Sequence, residues 1–176
     1  MKPFQNIFAV SLLMSASASA LAAPATPEEA GRLTGVFQAY LGEEPGVVTV
    51  TPVGESYDVK IDFSPLIAKF KQPNFSAEAS PVVMHLTDQG GGKWLVTQDS
   101  PLSYSAKVPG QVDMTVRVGA LKGSGVFDQN ISAFTSSTYD IADFAFDETI
   151  TTPEAMSMRV AYSVKAMHYE TTSAAS

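Results

Sequence analysis

The chain contains no cysteine. That excludes a disulfide framework, a thiolate-bound zinc, a cysteine nucleophile and the lipid-bearing cysteine of a lipoprotein. Histidine is almost as scarce. His85 and His168 are the only two, and neither has a second His at ligand spacing, so the three or four ligands of a zinc site are missing. Positive charge is also sparse: 11 Lys and Arg stand against 18 Asp and Glu, a net charge of −7, with no polybasic run. Such a surface repels nucleic acid and anionic headgroups, which excludes nucleic acid as a partner. There is no Gly-x-Ser-x-Gly elbow, no nucleotide fingerprint and no calcium-loop pattern. The sequence therefore points to no catalytic residue, no metal ligand and no cofactor, and the reading is a non-enzyme.

Long apolar runs are lacking too. The longest lies at the start, where Ile7 to Met14 follow Lys2 and precede Ala20-Leu21-Ala22. A short apolar core behind a positive residue, ending in an A-x-A site, predicts a signal peptide over 1–22 and export to a bacterial periplasm. The run is too short and too rich in serine to span ~30 Å of hydrocarbon. What remains, 23–170 with a polar tail at 171–176, has the size of one domain.

Helical spacing occurs clearly once. Thr26, Pro27 and Glu29 make a capping-box start, and Leu33, Val36, Phe37, Tyr40 and Leu41 form one apolar stripe, so a helix is expected over 27–41 with Gly42 as its stop. A second, short helical segment is expected from Ser64-Pro65.

From Val47 onward the period is two. Tyr57 to Phe63, Val82 to Leu86, Leu102 to Val108, Val112 to Ala120 and Met156 to Ala166 alternate apolar with polar residues. Gly90 to Gly92 reads as a long turn, and Gly123-Ser124-Gly125 as a break. Val126 to Phe134 reads as irregular. Tyr139 and Ile141 fall on one alternation, Phe144 and Phe146 on the other, which places a bulge near Ala142. No βαβ rhythm appears. The expected fold is mainly β with a minor helical part. It is a long, twisted antiparallel sheet or half-barrel of about eight or nine strands, with the N-terminal helix packed on it.

Asp140, Asp143, Asp147 and Glu148 are the densest ionisable cluster. Strand alternation would put Asp143 and Asp147 on one face and Asp140 and Glu148 on the other, a solvated arrangement rather than a site. Trp94 reads as a core or rim aromatic. Met84, Met114, Met156 and Met158 fall on the apolar alternation, where methionine makes an adaptable surface.

The phrases Thr87-Asp88, Gly90 to Gly92 with Trp94, Thr97-Gln98-Asp99, Pro109-Gly110-Gln111, Phe127-Asp128, Ala133 to Ser137 and Met167-His168-Tyr169-Glu170 are similar to those of a family of uncharacterised exported alpha-proteobacterial proteins, a domain of unknown function. The resemblance covers most of the chain after the export segment. It implies export and β architecture and carries over no active-site residue.

The functional expectation is binding or carriage of an apolar, lipid-like ligand on the sheet, with Phe37, Tyr40, Met84, Met114, Met156 and Met158 as the contact residues. An envelope protein is the other partner considered, through a structural or interaction module. An outer-membrane barrel is the third reading.

Overall fold

The computed structural model describes residues 24–70, 72–154 and 156–173; the segment 1–22 predicted as a signal peptide and the last residues of the chain lie outside them. Helix α1 (Pro27–Leu41) comes first. Strands β1 (Val48–Val53) and β2 (Ser56–Ile61), helix α2 (Ser64–Lys69), and strands β3 (Ser76–Ala79), β4 (Val82–Gly90), β5 (Lys93–Val108), β6 (Val112–Asp128), β7 (Ala133–Thr151) and β8 (Ser157–Thr172) follow. All strand pairs are antiparallel in one sheet of order β1-β2-β4-β5-β6-β7-β8. The short β3 continues the line of β4: β4 pairs with Lys93–Thr97 of β5 and β3 with Tyr104–Lys107. The edges β1 and β8 do not meet, so the sheet is open and not a closed barrel. Among the described residues no helix is long and apolar enough to cross a membrane.

Helix α1 has the bounds its pattern predicts, but its capping box is only half made. Thr26 Oγ1 accepts from the Glu29 N–H at 3.2 Å, while the Glu29 carboxylate turns to Arg32 at 2.6 Å. The Thr26 N–H instead donates to the Tyr57 hydroxyl at 3.0 Å, and the Ala25 N–H to the Gly54 carbonyl at 2.9 Å. The partners that a capping box would supply locally are thus supplied by the β1–β2 hairpin, which fastens the start of the helix to the sheet. At α2 the carboxylate of Asp62 accepts from the Ser64 N–H at 3.0 Å. Its pKa is held at about 2, first by the Ser64 hydroxyl, then by that N–H and by Lys60.

Three turn and break assignments change. The Gly90–Gly92 turn is short and pinned, because Gln129 N–H donates to the Gly92 carbonyl at 2.9 Å and Asn130 Nδ2 to the Gly91 carbonyl at 3.0 Å. Gly123-Ser124-Gly125 does not interrupt β6, which runs on to Asp128. These glycines make room: a Cβ on Gly123 would lie 2.5 Å from the Tyr139 ring, and one on Gly125 2.8 Å from the Ser136 carbonyl. The irregular stretch before Phe134 is the end of β6, a turn and the start of β7, with no helical turn. At the other end, β8 carries the ladder to Thr172, into the segment whose composition reads as tail.

The bulge near Ala142 proves to be one part of a wider feature. Leu102 pairs with Val118 and Ser100 with Leu121, so β6 holds one more residue than β5 across this step. The extra residue is passed on in register: Val118 pairs with Phe144 and Leu121 with Ile141, then Phe144 with Val164 and Ile141 with Met167. Asp143 absorbs it on β7 with φ +50°. A kink therefore crosses β6, β7 and β8 at Gly119–Ala120, Ala142–Asp143 and Lys165–Ala166. On each strand the alternation changes phase there, so that one face of the sheet stays apolar on both sides.

That apolar face is only partly covered. Its α1 end holds the core: Ala30 and Leu33 of the helix against Tyr57, Val59, Leu86 and Trp94, all buried. Tyr57 and Trp94 meet edge to face at 5.9 Å between ring centroids. Burial of side chains of this size contributes about 1.5–3 kcal/mol each. Beyond the helix, on β7 and β8, Phe144 and Phe146 flank Tyr162 at 5.8 and 5.1 Å, and Met158, Val160, Tyr162, Met167 and Tyr169 are exposed.

Candidate functional site

The two halves of α1 meet the sheet differently. Leu33 is 2% exposed and Ala30 is buried, and the hydrogen bonds from Ala25 and Thr26 hold the same end. One turn on, Phe37 is only half-buried, Val36 is exposed and Tyr40 is 78% exposed. Beneath this second half lies a cavity of about 330 Å³. Leu33, Val36, Phe37 and Tyr40 form its roof, and Met84, Leu86, Trp94 and Val96 its floor. Phe127, Gln129, Ser132 and Phe134 close one side. Its size is at the low end of small-molecule sites, roughly 300–1,000 Å³, and the lining has their usual make-up of apolar walls with few polar groups.

Gln129 is the polar group that matters most. With its amide oxygen facing the two donors, it accepts from Trp94 Nε1 at 2.9 Å and from Arg32 Nη2 at 3.1 Å. The indole N–H at the cavity floor is thereby satisfied. Arg32, also bound by Glu29, ties the helix to the β6–β7 turn. No lining residue is a candidate nucleophile with a base beside it. The arrangement can enclose an apolar body.

Phe37, Tyr40 and Met84 all line this cavity. Met114, Met156 and Met158 do not. Met114 pairs with Ala106 and Glu148, thirteen residues along β6 from Phe127, or roughly 40 Å of extended strand. Met158 sits on β8 opposite Ile150, 58% exposed, and Met156 lies in the turn before β8, 67% exposed. Alternation identifies which face a residue is on; it does not tell how far along the sheet it falls. Phe127 and Phe134, 5.4 Å apart at their centroids, are cavity residues that the alternation misses. The available signal is the aromatic pair flanking Asp128-Gln129-Asn130.

The acidic cluster is resolved differently from its strand reading. Because the kink lies between Ile141 and Phe144, Asp140, Asp143 and Asp147 come to one face and Glu148 to the other. Each of the three meets its own cation on β8. Asp140 accepts from His168 Nδ1 at 2.7 Å, Asp143 from Lys165 at 3.2 Å, and Asp147 from Arg159 Nε at 3.0 Å. They form a ladder of exposed cross-strand ion pairs, each a modest contributor to stability.

His168 is raised above the ordinary histidine range, first by its bond to Asp140 and then by Glu170, whose Oε1 is 3.3 Å from Nε2; Lys122 stands opposite Asp140 on β6. A raised folded-state pKa means a contribution present below the unfolded value and lost as pH rises through the folded one. An NMR titration of the imidazole should place its midpoint above about 6.5, and Asp140→Asn should bring it down. A midpoint at or below that value would contradict the pairing.

Helix α1 also carries two interior glycines, Gly31 and Gly35, with nothing within 4 Å of where a Cβ would stand. Each weakens the helix by roughly 0.5–1 kcal/mol relative to alanine. Gly31→Ala and Gly35→Ala should each raise stability by about that amount in urea unfolding. A loss would show that these positions make contacts the structure lacks.

No family model, curated protein or solved structure matches this chain.

Proposed function

We propose that this protein binds an apolar, lipid-like ligand in the cavity beneath α1 and carries it without chemical change, as an exported protein of the periplasm. The observation that carries the reading is the uneven seating of α1. One half is fixed by buried Ala30 and Leu33 and by backbone hydrogen bonds; the other half roofs an apolar cavity with half-exposed side chains. A helix held at one end can admit a ligand by lifting the other, and the two glycines reduce its rigidity.

The test is to purify the protein from the envelope of its own cells without detergent, extract it with organic solvent and analyse the extract by mass spectrometry. An apolar compound near one per chain is expected, absent from an extract of a Val96→Phe variant whose added ring fills the cavity. Recovery of no apolar compound, or equal recovery from the variant, would count against the proposal.

The second reading, a structural or interaction module of the envelope, is favoured by one observation: β8 is a long free edge with apolar side chains exposed along it.

A further inference from the structure

The two edges of the sheet are protected very differently. Strand β1 is six residues long, contains Pro52, and has α1 packed near it. Strand β8 is 16 residues long, contains neither proline nor glycine, and among the described residues has no strand beyond it. Alternate residues of β8 bond to β7, and the backbone donors and acceptors of the others point outward along the whole edge, a template for another strand.

The sequence of β8 says which strand fits. Before the kink, Met158, Val160, Tyr162 and Val164 lie on the apolar face; after it, Met167, Tyr169 and Thr171 do. Ser157, Arg159, Ala161 and Ser163, then His168, Glu170 and Thr172, lie on the polar face. A regularly alternating strand laid along this edge would match faces on one side of the kink and oppose them on the other. A strand with the same phase change at the same place matches on both, and β8 of a second copy is such a strand. Two identical edges meet about a two-fold axis, and the axis that keeps both apolar faces on one side stands normal to the sheet, which makes the pairing antiparallel. Face matching then requires the axis to fall at the kink.

Charge selects the register. With the axis between Val164 and Lys165, Arg159 stands opposite Glu170 of the second copy, and Glu170 opposite that copy's Arg159. Val160 then faces Tyr169, Tyr162 faces Met167, and Ser163 faces Ala166. Arg159 already binds Asp147 through Nε and Nη2, and its guanidinium has five donors, so it can bridge to a second carboxylate. The one like-charge contact is between the two Lys165 ammonium groups near the axis, and each is held back by its own Asp143.

We propose that the protein forms a two-fold dimer by antiparallel pairing of β8 with β8 about the kink at Lys165, joining two sheets into one. This does not depend on the ligand proposed above.

Sedimentation or light scattering tests it directly. The wild type should have the mass of two chains. Arg159→Glu and Glu170→Arg should each raise the dimer dissociation constant about tenfold or more, because the pair occurs twice. The double variant R159E/E170R should restore it. A cysteine pair provides a check that does not rest on charge. In one extended strand positions 163 and 166 are roughly 10 Å apart, too far for a disulfide within one chain, but across the axis they face each other. Mild oxidation of Ser163→Cys/Ala166→Cys should therefore give covalent dimers, and the natural chain has no cysteine to compete. A wild type that stays monomeric at every concentration, a charge swap that fails to restore pairing, or a cysteine variant that does not cross-link would each overturn the proposal.

Discussion

Leu33→Ala should destabilise the protein by about 2–5 kcal/mol, while Phe37→Ala, one turn further along the same stripe, should cost less than about 1 kcal/mol. Both are large apolar residues on the inner face of α1, and sequence alone would treat them as equals. They differ in what surrounds them. Leu33 borders the cavity too, but it is 2% exposed and packed into the buried cluster with Val59, Leu86 and Trp94, so its removal strips contacts from packed core. Phe37 already borders a cavity and is half-exposed, so its removal enlarges an existing space. Equilibrium unfolding in urea measures both. An equal loss of 3–5 kcal/mol at Phe37 would mean that the second half of α1 is ordinary core, and the lid reading would fall.

The second large effect is expected in the sheet. Gly125→Val would place a Cβ 2.8 Å from the Ser136 carbonyl oxygen and 3.0 Å from Phe134 Cδ1 and Ser137 Cβ. The nearest atom is backbone in a continuous ladder, and it cannot swing aside as the end of a long side chain can. Overpacking of this kind costs about 1–3 kcal/mol and occasionally more, and here the upper end is expected because β6 and β7 must part to relieve it. The contrast with Gly31→Ala, which should stabilise, separates glycines that make room from glycines that only loosen. A neutral Gly125→Val would show that β6 and β7 lie further apart at this point than their register indicates.

The helix and most strands are legible in the sequence because their signals are local. Thr26, Pro27 and the spacing from Leu33 to Leu41 define α1 without reference to the rest of the chain. The alternation from Tyr57 and from Val112 defines β2 and much of β6 in the same way. What escapes is what depends on a neighbour. Ser76–Ala79 becomes β3 because Tyr104–Lys107 offers a free flank; Ser-Ala-Glu-Ala alternates over only four residues, with nothing larger than alanine on its apolar side. Gly123 and Gly125 stay in β6 because Tyr139, Phe134 and Ser136 need their space, whereas glycine read alone signals a break. The kink is visible at Tyr139–Phe146 only as a local change of phase; that it spans three strands follows from register. The candidate site was legible to the same degree. Phe37, Tyr40 and Met84 share a cavity, and the methionines of β6 and β8 share only its face of the sheet.

Titration of a fluorescent fatty-acid analogue into the protein, read by fluorescence and by thermal unfolding, tests the ligand reading most directly. Saturable binding of one probe per chain is expected, with a melting temperature that rises with probe concentration, since a ligand of the folded state stabilises it by mass action. In Val96→Phe, where the added ring occupies the cavity floor, both responses should disappear while the variant remains folded. No binding by the wild type, or unchanged binding by Val96→Phe, would contradict a ligand site beneath α1.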